Sequence, residues 1–220
     1  MVFVHISPTW FFGYDIIFEL IFAVVALSLG LFALRVSHLT SQRSANLFGK
    51  GFLLISISYF FQAIFNFLFL SQLGNQLFTP SDASVLLLFQ TVGAVGHILF
   101  MLAGLVTLLY MTFEHRNKKL LFTLIALTIV PLLIVDDYFV LFYAISTICL
   151  TFIAWHYVGN YFKVKHVSSL VAALAFIFIL IGHVQYFFST GNPLLYVFGN
   201  GLELLGYLLI LVNFYLVLKR

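Results

Sequence analysis

The sequence predicts an all-α integral membrane fold: a bundle of seven transmembrane helices with the N-terminus outside and the C-terminus cytoplasmic. Three observations carry this. Of the 220 residues, 63% are hydrophobic and 8% charged, at a mean hydropathy of +1.15. Soluble domains carry about 25% charged residues, so this supply cannot cover a soluble surface. Apolar runs of about 20 residues or more recur along the chain, the length at which a helix crosses a bilayer. An outer-membrane barrel would show short alternating segments instead. Finally, all ten Lys and Arg fall on one side of the chain once it is folded back on itself at the loops.

The expected spans cover residues 12–34, 51–71, 84–112, 119–135, 138–161, 168–189 and 194–218. Before the first, His5, Pro8, Trp10 and Tyr14 resemble an interfacial anchor. That first apolar run lacks a basic leader, so it reads as a retained helix and not a cleaved signal. The third span is long enough to tilt. The fourth is the shortest, and Pro131 near its end kinks or terminates it. No stretch is left for an extramembrane domain, so residues 1–220 form a single transmembrane domain.

The loops set the orientation. Arg35, Arg43 and Lys50 flank the first loop; Arg116, Lys118 and Lys119 fill the third; Lys163 and Lys165 lie in the fifth; Lys219 and Arg220 close the chain. The intervening loops hold Asp82 or the pair Asp136 and Asp137, with no Lys or Arg. The positive-inside rule then places the basic loops in the cytoplasm and the protein in the plasma (cytoplasmic) membrane. The basic turn around Glu114–Lys119 also fits contact with anionic lipid headgroups. The net charge of +3 is accounted for by orientation, and no surface for nucleic acid is legible.

With seven spans, 1–3 and 5–7 run in the same directions, which admits a 3+1+3 parallel repeat of the transporter kind. Phe78-Thr79-Pro80-Ser81 precedes the third span as Gly191-Asn192-Pro193-Leu194 precedes the seventh. Gly93, Gly96, Gly104, Gly182, Gly199 and Gly206 lie in these spans or their neighbours, where small residues let helices approach closely.

The candidate site begins with Glu203, a carboxylate about ten residues inside the last span. A charge near the bilayer centre costs roughly 2.5–3.5 kcal/mol on insertion scales, so a compensating partner is expected. Helical spacing adds polar stripes elsewhere. Asp15 and Glu19 are four apart in span one; Ser58, Gln62 and Asn66 repeat every four in span two. Gln90 and His97 share a face of span three, His183 and Tyr186 are one turn apart in span six, and Asn200 precedes Glu203 by three. Spans four and five contribute only weak hydroxyl content. Glu203, Glu19, His97, His183, Gln62, Asn66, Asn200 and Tyr186 are expected to converge on a polar pocket in the outer half. Individually, the amides also fit plain interhelical hydrogen bonding, and Asp15 fits a helix cap.

The leading functional expectation is a small-solute or ion/proton-coupled transporter, with Glu203 and Glu19 bearing charge and His97 and His183 as partners. The alternatives are a ligand-sensing or accessory subunit that works through a cytoplasmic partner or an oligomer, and a metal- or haem-binding membrane enzyme. A metal would draw on His97, His183 and Glu203, though no HxxxH, HExxH or CxxC spacing supports it; two facing histidines are also the axial ligands of a haem. Retinal is excluded because a Schiff base needs a lysine inside the bundle, and every lysine lies at a boundary. The single cysteine, Cys149, cannot form an intrachain disulfide and reads as a buried small hydrophobe.

Overall fold

The structure, a computed structural model, describes residues 8, 10–11, 13–73, 80–113, 117–135, 138–189 and 191–218. Seven α-helices make up the described chain: α1 (Tyr14–Thr40), α2 (Arg43–Leu73), α3 (Pro80–Thr112), α4 (Lys118–Ile129), α5 (Tyr138–Val164), α6 (Val167–Phe188) and α7 (Pro193–Leu218). His5, residues 78–79 and 114–116, the pair Asp136 and Asp137, and Lys219 and Arg220 lie outside the described residues.

Local chemistry sets the helix ends. Asp15 accepts from the backbone N–H of Gly13 and of Ile16, closing the start of α1 where Gly13 takes a φ of 100°. Proline opens α3 and α7, a position where its missing N–H costs nothing. Asn117 caps α4 by accepting from the Lys119 N–H, and the His166 ring caps α6 by accepting from the Ser168 N–H. Two-residue turns join α1 to α2 and α5 to α6, and each holds one residue in left-handed backbone, Ser41 at φ 55° and Lys165 at φ 50°. The helices at the first turn outrun the expected apolar spans, because hydropathy marks the hydrocarbon and not the end of hydrogen bonding.

Six helices are long and apolar enough to cross a membrane. α4 is shorter: its 12 residues span about 18 Å, against about 30 Å of hydrocarbon. A 3₁₀ turn over Val130–Leu133 follows, where Pro131 ends the α-helical bonding, and adds about 8 Å.

Each helix trio packs in chain order, α2 between α1 and α3, and α6 between α5 and α7. The trios meet where α3 touches α5 and α1 touches α7, so six helices close into a ring, with α4 outside against α3. Glycine makes the closest approaches: a Cβ on Gly104 would sit 2.8 Å from the Gly51 carbonyl, and one on Gly182 would sit 2.9 Å from the Gly199 carbonyl. The outer surface carries Phe67, Phe122, Leu127, Phe152 and Phe198, all more than half exposed, while Asp15, Glu19, His183, Asn200 and Glu203 are buried. Apolar outside and charged inside reverses the soluble pattern and identifies an integral membrane protein.

Candidate functional site

Two of the buried acids, Glu19 and Glu203, sit at one cavity lined by all six ring helices. Its walls are Glu19 and Phe22 of α1, Tyr59 and Gln62 of α2, and His97 and Met101 of α3. On the other trio they are Phe142 and Tyr143 of α5, His183 and Tyr186 of α6, and Tyr196, Asn200 and Glu203 of α7. The space is about 30 Å³, which holds roughly two water molecules. No lysine or arginine is among the lining residues.

Glu203 is held by two hydroxyls. Tyr59 donates to its Oε1 from the other trio, and Tyr186 donates to Oε2 at 2.8 Å. Two donors on a carboxylate that is 1% exposed replace the water it gave up. The α6–α7 contact is tight enough to impose this: a Cβ on Gly199 would lie 2.6 Å from the Tyr186 ring.

Glu19 is supported on one side only. Asn66 Nδ2 donates to its Oε1 at 2.8 Å, and Oε2 is buried without a hydrogen-bond partner. Asn66 stands behind the cavity and is not part of its lining. Asn200 donates its Nδ2 to the Tyr196 carbonyl at 2.9 Å, which leaves its amide oxygen for the cavity.

The histidines have fixed rings. Ser58 Oγ lies 2.7 Å from His97 Nδ1 and also donates to the His97 carbonyl at 2.9 Å. His183 donates from Nδ1 to the Ile179 carbonyl, 3.2 Å away, which fixes the ring's orientation. Each ring also stands beside a tyrosine that binds Glu203: His97 is 5.5 Å from Tyr59 and His183 is 5.7 Å from Tyr186, centroid to centroid.

Aromatic rings close the cavity above and below. Phe22 and Tyr207 stack at 5.3 Å, with Tyr59 5.2 Å from Phe22, as a floor one turn below the acids. Phe11, buried although it precedes α1, meets Tyr196 at 6.2 Å, and Tyr196 meets Tyr186 at 5.4 Å, as a roof.

Beyond the floor is a second and larger space, a vestibule of about 340 Å³ lined mainly by apolar groups, among them Phe32, Phe48 and Phe214, with Ser44, Tyr157 and Asn213 as polar members. Asn213 is anchored by Ser168, whose hydroxyl donates to Oδ1 at 2.6 Å. Nearby on α2, Arg43 donates to Tyr110 of α3 at 2.8 Å.

The two spaces give the relative direction of the helices. On α1, α3, α5 and α7 the lower-numbered residues line the polar cavity and the higher-numbered ones the vestibule; on α2 this is reversed. The chain therefore leaves α3 at the vestibule end and enters α5 at the cavity end, and α4 lies on the connection.

Of the residues singled out in the sequence, Glu203, Glu19, His97, His183, Gln62, Asn200 and Tyr186 line the cavity, and Asn66 supports it through Glu19. Gln90 is not part of the lining. Asp15 caps α1. Tyr59, Tyr143 and Tyr196 were passed over, and Tyr143 brings in α5, from which little had been expected. The metal expectation needs correction. Among the described residues no three His, Cys, Asp or Glu side chains gather to hold an ion, so His97, His183 and Glu203 do not form a ligand set. Haem fits no better: the polar cavity is too small for a macrocycle, and the vestibule lining has no histidine. No family model matches the sequence, and no curated protein or solved structure matches it.

Proposed function

We propose that this protein is a seven-span ion- or proton-coupled carrier of a small solute in the plasma membrane, with its N-terminus outside and its basic end in the cytoplasm. The observation that carries the reading is the cavity itself: six helices place two carboxylates and two histidines around a water-sized space with no lysine or arginine in its lining. Buried acids without counter-cations are expensive in a bilayer, and a transported proton or cation compensates them.

Helix direction supports seven crossings: α3 and α5 run the same way, and α4 with its 3₁₀ extension, which lies between them in the chain, reaches about 26 Å. Trios in the same orientation, each with a two-residue turn between its first two helices and a proline at the start of its third, support the 3+1+3 repeat. The vestibule supports a solute with an apolar body: its size falls within the range of small-molecule sites, about 300–1,000 Å³. The aromatic floor between the two spaces supports alternating access, with the polar site shut off from the vestibule.

Purified protein in proteoliposomes, loaded with a pH-sensitive dye and offered a panel of small apolar-bodied solutes, tests this. Uptake that acidifies the lumen and falls at least tenfold in Glu203→Gln is expected. Uptake that leaves the lumenal pH unchanged and needs no ion gradient refutes the coupled mechanism. No flux together with a co-purifying cytoplasmic partner would establish the sensing or accessory-subunit alternative.

A further inference from the structure

The two carboxylates of the cavity are not equivalent, and we infer that Glu19, not Glu203, is the group that takes up and releases the proton, by exchange with cavity water at its Oε2. This rests on the carrier reading for its role and on the geometry for its assignment.

Both oxygens of Glu203 accept from tyrosine hydroxyls, one from each trio, and those bonds tie the helices together. Glu19 is 4% exposed and lines the cavity, and its Oε2 is buried without a donor. A buried carboxylate oxygen left in that state costs on the order of 1–3 kcal/mol or more. A donor from the cavity, water or hydronium, relieves the deficit.

The surroundings favour a proton that comes and goes. On α1 itself Asp15 lies one turn towards the helix start, about 6 Å along the axis. From α2 Tyr59 faces the same space, and from α7 Tyr196 and Glu203. Across it stand His97, Tyr143, His183 and Tyr186. No lysine or arginine is among the residues that line the cavity with Glu19. In the uptake step a hydronium in the cavity gives one proton to Oε2. The new O–H bond forms there, water remains, the carboxylate charge is discharged, and Asn66 keeps its bond to Oε1.

Infrared difference spectroscopy of the protein in nanodiscs, read between two pH values, tests the assignment through the C=O stretch of a protonated carboxyl. The band should titrate in the native chain and in Glu203→Gln and be lost in Glu19→Gln, while proton-coupled uptake falls at least tenfold in Glu19→Gln. A titrating band that persists in Glu19→Gln overturns the inference, as does one that responds to sodium at constant pH. Where Glu19→Gln does not fold, Glu19→Asp keeps the acid on a shorter stem: a displaced pH midpoint supports the assignment, and an unchanged one overturns it. A titrating Glu19 band without any flux dismisses the carrier and leaves the proton site standing; flux with a band indifferent to Glu19 does the reverse.

Discussion

Asn66 of α2 reaches across to α1 and holds Oε1 of Glu19 at 2.8 Å. Among the described residues the amide is the one side chain bonded to that buried acid, so its removal takes away the donor to Oε1. Asn66→Ala should lower stability by about 1–3 kcal/mol, read as a fall in the thermal midpoint of the detergent-solubilised protein. Asn66→Gln, with a longer stem and the same amide, should recover part of the loss.

Tyr59 and Tyr186 share Glu203, so their effects should not add. Each Tyr→Phe change should cost about 1.5–2 kcal/mol, the upper end of what interhelical hydrogen bonds give in bilayers because the acceptor is charged. The double variant should depart measurably from the sum in a mutant cycle. Strict additivity would mean that the two hydroxyls do not act on one carboxylate.

Two neighbouring glycines of α7 should behave oppositely. A Cβ at Gly199 meets the Tyr186 ring at 2.6 Å and the Gly182 carbonyl at 3.1 Å, whereas one at Gly201 meets nothing within 4 Å. Gly199→Ala should destabilise by about 1–3 kcal/mol through overpacking and displace Tyr186 from Glu203. Gly201→Ala should be neutral or gain a few tenths of a kcal/mol from helix propensity.

Orientation is open to direct labelling, because Cys149, the single cysteine, is buried and should stay silent. Ser41→Cys and Lys165→Cys place thiols in the exposed turns at the basic end, and Asn192→Cys places one in the exposed turn at the opposite end. In intact cells a membrane-impermeant maleimide should modify only Asn192→Cys. The two turn variants should react after the membrane is opened. Modification of Ser41→Cys from outside would invert the assigned topology.

Much of this arrangement was legible before any coordinates. Acids and amides spaced three or four apart can occupy an apolar helix only if that face is turned inward, so Glu19, Gln62, His183, Asn200 and Glu203 were readable from position alone. The tyrosines were not. Tyr59, Tyr143 and Tyr196 present large apolar bodies, and among eleven tyrosines nothing in the sequence marks whose hydroxyl meets a carboxylate. The unequal roles of the two glutamates were hidden for the same reason, since they depend on which hydroxyls arrive from other helices. The metal expectation failed because residues at similar depth need not point at one spot: among the described residues no three His, Cys, Asp or Glu side chains gather to hold an ion.

The ring is made of two runs of consecutive helices that pack extensively within themselves and meet each other chiefly where α3 touches α5 and α1 touches α7. During synthesis the first run can therefore complete its own contacts before the second has emerged. The Asn66 bond to Glu19 belongs wholly to the first run, and the Tyr186 bond to Glu203 wholly to the second, while Tyr59 to Glu203 waits for the halves to meet. Assembly of the polar cavity is thus the last event and not the first. A chain severed just before α4 should yield two fragments that recover each other when co-expressed, with Tyr59→Phe weakening the reunion and Tyr186→Phe sparing it.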